Sequence, residues 1–353
     1  MHAAEGTIQL AHGGGGRLSQ ELIRELLLPA LNGGAGTGTG TSQGSSGLHD
    51  AALLANPGGN LAFTTDSYVV RPLLFPGGDI GRLAVYGSIN DLAMAGARPL
   101  ALSLGLILEE GLPLSTLQQI VASIREAAAT CGVPVITGDT KVVERGKGDG
   151  LFINTSAIGA VAPGLLIQPA AVRPGDVVLV SGDLGRHGVA ILAARNELGF
   201  RCSLESDLAP LHGLVQELLA AALLPHCLRD LTRGGLAGAI DEIARDAGCR
   251  MELEEEAIPL DPAVAGACEL LGLDPLTMAC EGRMLVISPA EQAEAVLAVL
   301  QHHRREAAVI GRVIEPIAPE ALLDQRHPVS LRTGLGVCRP LDVGRGDQLP
   351  RIC

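Results

Sequence analysis

The chain has 353 residues, 47 % of them hydrophobic, and this length is sufficient for two domains with substantial cores. A net charge of −13, with two Tyr, four Phe and no Trp, argues against a nucleic-acid-binding protein, because basic stripes and base-stacking platforms are both missing. No basic leader precedes an apolar stretch, and no run of about 18 apolar residues occurs, which predicts a soluble cytoplasmic protein.

A glycine-rich loop is the first recognisable pattern. Residues 12–16, His-Gly-Gly-Gly-Gly, precede leucines whose spacing predicts a helix over 18–28. The backbone N–H groups of such a loop can bind phosphate where a helix begins, but a run of glycines is equally typical of a flexible turn. The segment 32–47 is rich in Gly, Ser and Thr, which predicts a surface loop.

Alternation, helical periodicity and capping signals predict the other elements of the first half. They are strands over 101–108, 133–136 and 151–161, a helix over 81–96, and a helix to about Cys131 that begins at a capping box formed by Ser115 and Gln118. The strand over 133–136 is expected to deliver Asp139, Thr140 and Lys141 in the loop that follows it.

Four aspartates of this half follow or lie within short apolar runs: Asp50, Asp66, Asp91 and Asp139. A single aspartate in a turn is usually a local cap, but four that converged would repel one another without cations. Carboxylate oxygens select Mg²⁺, which commonly bridges to substrate phosphates. The chain has no GxxxxGK[ST] motif, so metal-mediated phosphate binding is the remaining hypothesis.

The second half repeats the strand-to-helix pattern after a linker over 163–174. It is predicted to contain strands over 175–182, 283–287 and 307–314, helices over 189–198 and 236–247, a helix that runs to about His302 from a capping box at Ser288 and Glu291, and a segment over 331–337 that leaves the compact body. Asp230, Thr232 and Arg233 precede a predicted helix, as an anion site would. Glu281, taken alone, is typical of a turn residue before a strand.

The chain ends at a cysteine. The segment from Gly344 to Cys353 is polar and glycine-containing, and at roughly 3.3 Å per residue it lets the thiol sweep about 30 Å. The terminal carboxylate raises the pKa of this thiol, whereas the neighbouring Arg351 lowers it, so Cys353 is a candidate nucleophile. The other cysteines have no CxxC pairing, which predicts buried, reduced core residues.

Several motifs together resemble one known family. They are Leu10-Ala-His-Gly-Gly-Gly-Gly, Asp66-Ser-Tyr, Asn90-Asp-Leu-Ala, Ile107-Leu-Glu-Glu-Gly-Leu-Pro, Thr137-Gly-Asp-Thr-Lys-Val-Val, Leu151-Phe-Ile-Asn-Thr, Arg229-Asp-Leu-Thr-Arg-Gly-Gly, Cys268-Glu-Leu-Leu-Gly-Leu-Asp and the terminal Pro-Arg-Ile-Cys353. Over nearly its whole length the chain resembles the HypE family of hydrogenase maturation proteins, in the ATP-binding superfamily of aminoimidazole ribonucleotide synthetase and selenide,water dikinase. The terminal Pro-Arg-Ile-Cys is specific to the HypE family.

The resemblance implies a two-domain α/β (α+β) fold of the aminoimidazole ribonucleotide synthetase type. Residues 1–162 would form an ATP- and Mg²⁺-binding domain whose sheet pairs with that of a second copy in a barrel-like homodimer interface. Residues 163–335 would form an α+β domain, and 336–353 a mobile tail with the reactive cysteine. The Gly/Ser insert at 32–47 departs from the family pattern.

The resemblance also implies a reaction. A carbamoyltransferase, HypF, would carbamoylate Cys353, and ATP would then drive dehydration of this S-carboxamide to an S-cyanide (thiocyanate). The cyanide would pass to iron on a HypC–HypD scaffold for [NiFe]-hydrogenase. Lys141 would neutralise phosphoryl charge, and Glu281 would act as the base, directly or through Lys141.

The remaining site assignments follow the same motifs. The Mg²⁺ ligands would be Asp50, Asp66, Asp91 and Asp139. The nucleotide contacts would be His12, Gly13, Gly14, Gly15, Asp66, Asn90, Asp91, Asp139, Thr140, Asp230, Thr232 and Arg233.

Two alternatives remain open from the sequence. The first is a kinase or synthetase of the same superfamily that acts on a diffusible small molecule, with Cys353 as a bystander. The second is a non-catalytic iron scaffold that uses its cysteines as ligands, although their scattered positions disfavour it.

Overall fold

The computed structural model describes residues 16–21, 52–56, 59–195, 203–317, 327–343 and 352–353. The glycine loop at 12–15, Asp50, the insert at 32–47 and the predicted helix beyond residue 21 lie outside the described residues.

The described residues form the following elements. The helices are α1 Arg17–Glu21, α2 Ile80–Met94, α3 Leu114–Thr130, α4 Arg186–Arg195, α5 His212–Ala220, α6 Gly235–Ala247, α7 Pro262–Leu271 and α8 Ala293–His303. The strands are β1 Ala52–Asn56, β2 Gly59–Tyr68, β3 Leu74–Phe75, β4 Gly78–Asp79, β5 Arg98–Glu109, β6 Val135–Val143, β7 Leu151–Val161, β8 Val177–Val180, β9 Cys227–Asp230, β10 Cys249–Glu254, β11 Met284–Ser288, β12 Ala308–Pro316, β13 Val329–Arg332 and β14 Cys338–Pro340.

The first sheet contains five strands in the order β1-β2-β7-β5-β6. β5 and β6 are parallel and α3 lies between them in the chain, whereas the other neighbouring strands are antiparallel. Alternate side chains of β7 are buried beneath α2, where the Thr155 hydroxyl donates to the Ala84 carbonyl. We call this side of the sheet the helix face and the other side the open face.

The second sheet contains seven strands in the order β14-β13-β10-β12-β8-β11-β9. Among the described strands of this second sheet, β10 and β13 are the only parallel neighbours. Alternate residues of β8 point to opposite sides of the sheet and belong to two separate apolar clusters. One cluster includes α6, which covers one side, and the other includes α5 and α8, which cover the opposite side. The two mixed sheets with their packed helices confirm the predicted α/β class.

Helix α2 joins the two halves. It is buried on nearly all sides, since one side packs on the first sheet and the other contacts α5 and β9 of the second half. Its first turn is fixed by Asp79, whose Oδ1 accepts hydrogen bonds from the N–H groups of Gly81 at 2.8 Å and Arg82 at 3.0 Å. The strand-to-helix segment over 59–94 therefore presents its polar residues to the boundary between the halves.

Both predicted capping boxes are wrong. α3 begins at Leu114, one residue before Ser115, and its N-cap Pro113 makes no side-chain cap. Ser288 ends β11 instead of capping a helix, and a 3-10 turn at Ala290–Gln292 precedes α8. In both cases the chain enters the helix through a proline turn, which supplies the extended entry without a capping side chain.

The segment over 331–337 does not leave the compact body as predicted. β13 pairs in parallel with β10, and Leu331 is fully buried. Only the turn towards β14 projects, with Leu335 93 % exposed. Among the described residues, no helix is long and apolar enough to cross a membrane.

Candidate functional site

Asp66 and Asp91 lie together at the helix face of the first sheet. Asp66 lies on the same side of β2 as the buried Thr64 and Tyr68, because side chains two residues apart in a strand share a face. Its side chain therefore points towards α2, which carries Asp91. The Thr64 hydroxyl donates to Asp91 Oδ2 at 2.7 Å, and Asp66 Oδ1 accepts the Ser67 N–H at 2.7 Å. Both carboxylates are half-buried and face the second half of the chain.

The loop between β9 and α6 supplies the opposite wall. Asp230 ends β9 and is 7 % exposed, and Thr232 and Arg233 follow it. Gly235 adopts a positive φ of 56°, and a Cβ there would lie 2.5 Å from the Met278 carbonyl. The glycine is therefore required for the close approach of this loop to the segment that precedes Glu281.

Glu281 is a buried acid within the site. It is 2 % exposed, its Oε1 has no hydrogen-bond partner among the described residues, and its backbone N–H donates to Asp207 Oδ1 at 3.2 Å. Burial raises the pKa of Glu281 well above the ordinary carboxyl range, and the charges of Asp230, Asp207 and Asp66 raise it further, against a smaller lowering by Arg233. Glu281 is therefore protonated where an ordinary glutamate would be ionised.

Arg233 is the cation that faces this acidic group. The residue is exposed to solvent, although dehydration by its neighbours lowers its pKa. The negative charges of Cys353, Asp66, Asp91 and Asp230 outweigh that effect and raise the pKa of Arg233. Residues from both halves and from the C-terminus therefore meet at one guanidinium.

The last two residues of the chain are docked at the same place. An oxygen of the terminal carboxylate of Cys353 accepts the Val69 N–H at 3.4 Å, immediately after β2. Ile352 is 9 % exposed and belongs to the apolar cluster beneath the site, and Cys353 packs against that cluster. The predicted nucleophile is thus within the electrostatic reach of Arg233 and its carboxylates.

Asp139, Thr140 and Lys141 occupy a different position. They lie within β6, whereas the sequence predicts a loop after a shorter strand over 133–136. Through the sheet register Asp139 aligns with Gly105, Asn154 and Ser67, which shows that its side chain and that of Lys141 belong to the open face. Asp66 and Asp91 lie on the helix face. Within one chain, the structure does not bring Lys141 together with Glu281.

Asn90 has a structural position. It is 2 % exposed, and its amide nitrogen donates to the Ala209 carbonyl at 3.1 Å and to the Glu281 carbonyl at 3.4 Å. Its Oδ1 accepts the Leu211 N–H at 2.7 Å. These bonds use the side-chain amide to join the two halves, and the nucleotide contact predicted for Asn90 stays a prediction.

Two residues of the site were missed from the sequence. Asp207, whose Oδ2 has no hydrogen-bond partner among the described residues, lies in no recognisable motif. Tyr68 is 2 % exposed, and burial together with Asp66 and Asp91 raises its pKa well above the usual value. Tyr68 was visible only as part of the Asp66-Ser-Tyr motif, and a Cβ at Gly87 would lie 2.2 Å from its hydroxyl.

The site fits a nucleotide with a divalent cation. Asp66 and Asp91 offer hard carboxylate oxygens at a half-buried surface, which suits Mg²⁺. Arg233 offers a planar donor group of the kind that binds phosphate. The carboxylates repel one another, and a cation would relieve this repulsion.

Comparisons with known proteins agree with this geometry. The N-terminal domain of AIR synthase related proteins matches residues 48–161, and the C-terminal domain of AIR synthase related proteins matches residues 173–319. The boundaries lie within the predicted domains 1–162 and 163–335.

Full-length relatives are more specific. The carbamoyl dehydratase HypE of Azotobacter vinelandii is 49 % identical over 350 residues, which cover 99 % of this chain and 98 % of that protein. A crystal structure of a HypE–HypF complex matches with a TM-score of 0.80 and 40 % identity, covering 91 % of this chain and 99 % of the other. A crystal structure of the hydrogenase maturation protein HypE in complex with ATP matches with a TM-score of 0.78 and 44 % identity, covering 98 % of this chain and 100 % of the other. The resemblance seen in the sequence is confirmed: this chain belongs to the HypE family of carbamoyl dehydratases within the AIR synthase related proteins.

Proposed function

We propose that this chain is an ATP-dependent carbamoyl dehydratase that converts an S-carboxamide on Cys353 into an S-cyanide for hydrogenase maturation. The observation that carries the proposal is the docked C-terminus, which places Cys353 at Val69, directly after the Asp66-Ser-Tyr motif, where its negative charge acts on Arg233. A diffusible-substrate enzyme has no use for this arrangement, because the docked tail would occupy the position of its substrate.

The chemistry consists of two changes on the carboxamide. Its oxygen attacks the γ-phosphorus of ATP, ADP leaves, and one N–H proton is lost, which turns the oxygen into a phosphate leaving group. The C–O bond then breaks as the second N–H proton leaves, so the products are the S-cyanide, ADP, phosphate and protons. The chain must therefore place a base near the nitrogen and a cation near the phosphoryl group.

Glu281 is our candidate for the base. A raised pKa makes the ionised carboxylate of Glu281 a stronger base than that of an ordinary glutamate. Arg233 would hold phosphoryl charge, together with Thr232 and the outlying His12, Gly13, Gly14 and Gly15. Burial of the Glu281 carboxyl group would also keep water away from the activated intermediate.

ATP would bind against the Asp66, Asp91 and Arg233 wall, with Mg²⁺ neutralising its phosphates. Asp66 and Asp91 are our Mg²⁺ ligands within one chain. Asp50 stays a proposed ligand outside the described residues. Asp230 contributes charge beside Arg233.

Lys141 and Asp139 would act from a second copy of the chain. β6 lies at the edge of the first sheet among the described strands, and all its residues except Val143 are exposed, including the apolar Val135, Ile136 and Val142. The adjoining open face exposes further apolar side chains, among them Phe63, Ile107 and Ile158. A long, exposed apolar edge of this kind requires cover. We propose a homodimer through β6 and the open face, in which Asp139, Thr140 and Lys141 reach the site of the partner chain.

Replacing Ile136 by aspartate should weaken this dimer. Ile136 is 66 % exposed in the single chain, and a carboxylate at this position would lose its water in the interface. We therefore expect the dissociation constant of the dimer to rise by about tenfold or more. Leu270 on α7, which is 72 % exposed, provides the matched control Leu270→Asp. Sedimentation velocity over a concentration series measures both, and equal dissociation of the two variants would contradict the assignment of the interface to β6.

Co-expression of two inactive chains tests whether Lys141 acts across the dimer. A Lys141→Met chain and a Glu281→Gln chain each lack one group, but their heterodimer contains one complete site if the two groups come from different chains. We expect about a quarter of the wild-type dehydration rate from the statistical mixture. If both groups act within one chain, the mixture stays as inactive as its components.

The partners and compartment follow from this reaction. We propose HypF as the carbamoyl donor and a HypC–HypD complex as the cyanide acceptor. A reactive terminal thiol requires a reducing compartment, and none of the seven described cysteines is in a disulfide, which supports the cytoplasm.

The proposed reaction is tested by intact mass spectrometry of the purified chain with HypF, carbamoyl phosphate and ATP. The expected record is a gain of one carbamoyl group, followed by the loss of one water that requires ATP. An unchanged mass with continued ATP hydrolysis on some small molecule would favour the diffusible-substrate enzyme instead.

A further inference from the structure

The end of the chain is held by contacts that none of the catalytic assignments explains. His187 is fully buried at the start of α4, and its Nε2 lies 2.5 Å from the carbonyl oxygen of Ile352. Its ring also contacts Phe75 edge-on, with the ring centroids 5.5 Å apart. The bond falls on the residue immediately before the reactive cysteine.

The hydrogen-bond chain around His187 has one consistent direction. The Leu208 N–H donates to Ser206 Oγ at 3.1 Å, and Ser206 Oγ lies 2.8 Å from His187 Nδ1. The Ile352 carbonyl can only accept, so His187 Nε2 carries the proton, and the Ser206 hydroxyl donates to Nδ1 of the neutral ring. Burial lowers the pKa of His187, which favours this neutral form.

Three further contacts complete the arrangement. The Ser206 N–H donates to the Pro76 carbonyl at 2.9 Å and thereby fixes the serine. The Ile352 side chain belongs to an apolar cluster that includes Val189 and Leu204. The Val69 N–H donates to an oxygen of the terminal carboxylate of Cys353. Backbone and apolar contacts thus hold residue 352, and none of these hydrogen bonds uses the thiol of residue 353.

We propose that Val69, Phe75, His187 and Ser206 form an intramolecular binding site, the tail-end site, whose ligand is the C-terminal Ile-Cys dipeptide. His187 is its positioning residue, because it recognises the carbonyl of residue 352 and so fixes the register of the tail. A slip of one residue would move the thiol by about 3.5 Å, which is enough to misplace the reacting carbon. The consequence for catalysis rests on the proposed function, whereas the existence of the site does not.

The first experiment measures tail docking without any catalysis. Iodoacetamide alkylates Cys353, and mass spectrometry of the C-terminal peptide reports its rate without interference from other thiols. His187→Ala should increase this rate roughly five- to tenfold, because the loss of one buried hydrogen bond shifts the equilibrium between docked and undocked tail by about that factor. His187→Gln, whose amide can still donate to the carbonyl, should stay within about twofold of wild type.

Two further variants make the result decisive. Ile352→Ala removes the apolar anchor from the tail without touching the folded body and should increase alkylation about tenfold or more. His226→Ala is the matched control, because His226 binds Asp176 in the second half and not the tail, and it should leave the rate unchanged. Wild-type alkylation rates in both His187→Ala and Ile352→Ala would overturn the tail-end site.

The second readout connects the site to the reaction. In His187→Ala, carbamoylation of Cys353 should continue at the wild-type rate, because it occurs with the tail away from the tail-end site. Dehydration should slow by a similar factor of about five to ten, because it requires the docked tail. If wild type is never carbamoylated, the proposed function fails while the alkylation series still decides the tail-end site. If carbamoylation and dehydration fall equally in His187→Ala, His187 does not act by positioning the tail.

Discussion

Replacing Cys353 by alanine is expected to abolish both mass changes, the gain of a carbamoyl group and the subsequent loss of water. The thiol of Cys353 is the proposed point of attachment, so the variant has no group to accept the carbamoyl unit if the proposal is right. ATP hydrolysis driven by carbamoylation should disappear with it. Intact mass spectrometry and phosphate release on the same sample measure these effects.

The matched control for this experiment is Cys338→Ala. Cys338 is exposed on β14, so it offers a thiol to the carbamoyl donor at least as accessible as that of the half-buried Cys353. Its replacement should leave the carbamoyl gain and the water loss unchanged. A chain that lacked Cys353 and still gained one dehydrated carbamoyl group would contradict the carrier role of the C-terminus.

Replacing Glu281 by glutamine is expected to stop the reaction between its two stages. Carbamoylation of Cys353 should proceed, because it does not use Glu281, and the carbamoylated chain should accumulate in the presence of ATP. Loss of a positioned base typically slows proton transfer by about 10²-fold or more, so we expect at least that decrease in the dehydration rate. A time course by intact mass distinguishes this arrest from failure at the first stage.

The dehydration rate should change with pH in the direction set by the titration of Glu281. The pKa of Glu281 is raised by burial and by its acidic neighbours, so its basic form increases with pH through that raised value. Wild-type dehydration should therefore rise with pH over this range, and the residual rate of Glu281→Gln should not. A pH-independent wild-type rate would exclude Glu281 as the base.

The same substitution reports on stability. Since the pKa of Glu281 is higher in the folded than in the unfolded chain, folding takes up a proton between the two values. Wild type therefore loses stability as pH rises from the ordinary carboxyl pKa towards the raised one, and glutamine removes this loss. Thermal unfolding at several pH values should show Glu281→Gln gaining stability over wild type as pH rises, which also confirms that the variant folds.

The sequence by itself determined the parts of the site that local patterns encode. A terminal cysteine, a short apolar run that contains Asp66 and a helix that carries Asp91 are visible because periodicity and position are properties of the chain. The helix predicted over 81–96 is found at Ile80–Met94. The loop that holds Asp230 and Arg233 before a helix was visible for the same reason. These segments also carried the family resemblance.

The tertiary structure alone decided how those parts act. Glu281 looks like a turn residue in the sequence, but tertiary packing buries it and thereby raises its pKa, and the charges of Asp230 and Asp207 from other segments raise that pKa further. Lys141 follows Asp139 in one motif, yet the strand register turns both towards the open face. The docking of Ile352 on His187 joins residues 165 positions apart in the chain. Burial, electrostatic interaction and strand register depend on the distances between remote segments, and no local pattern of residues contains them.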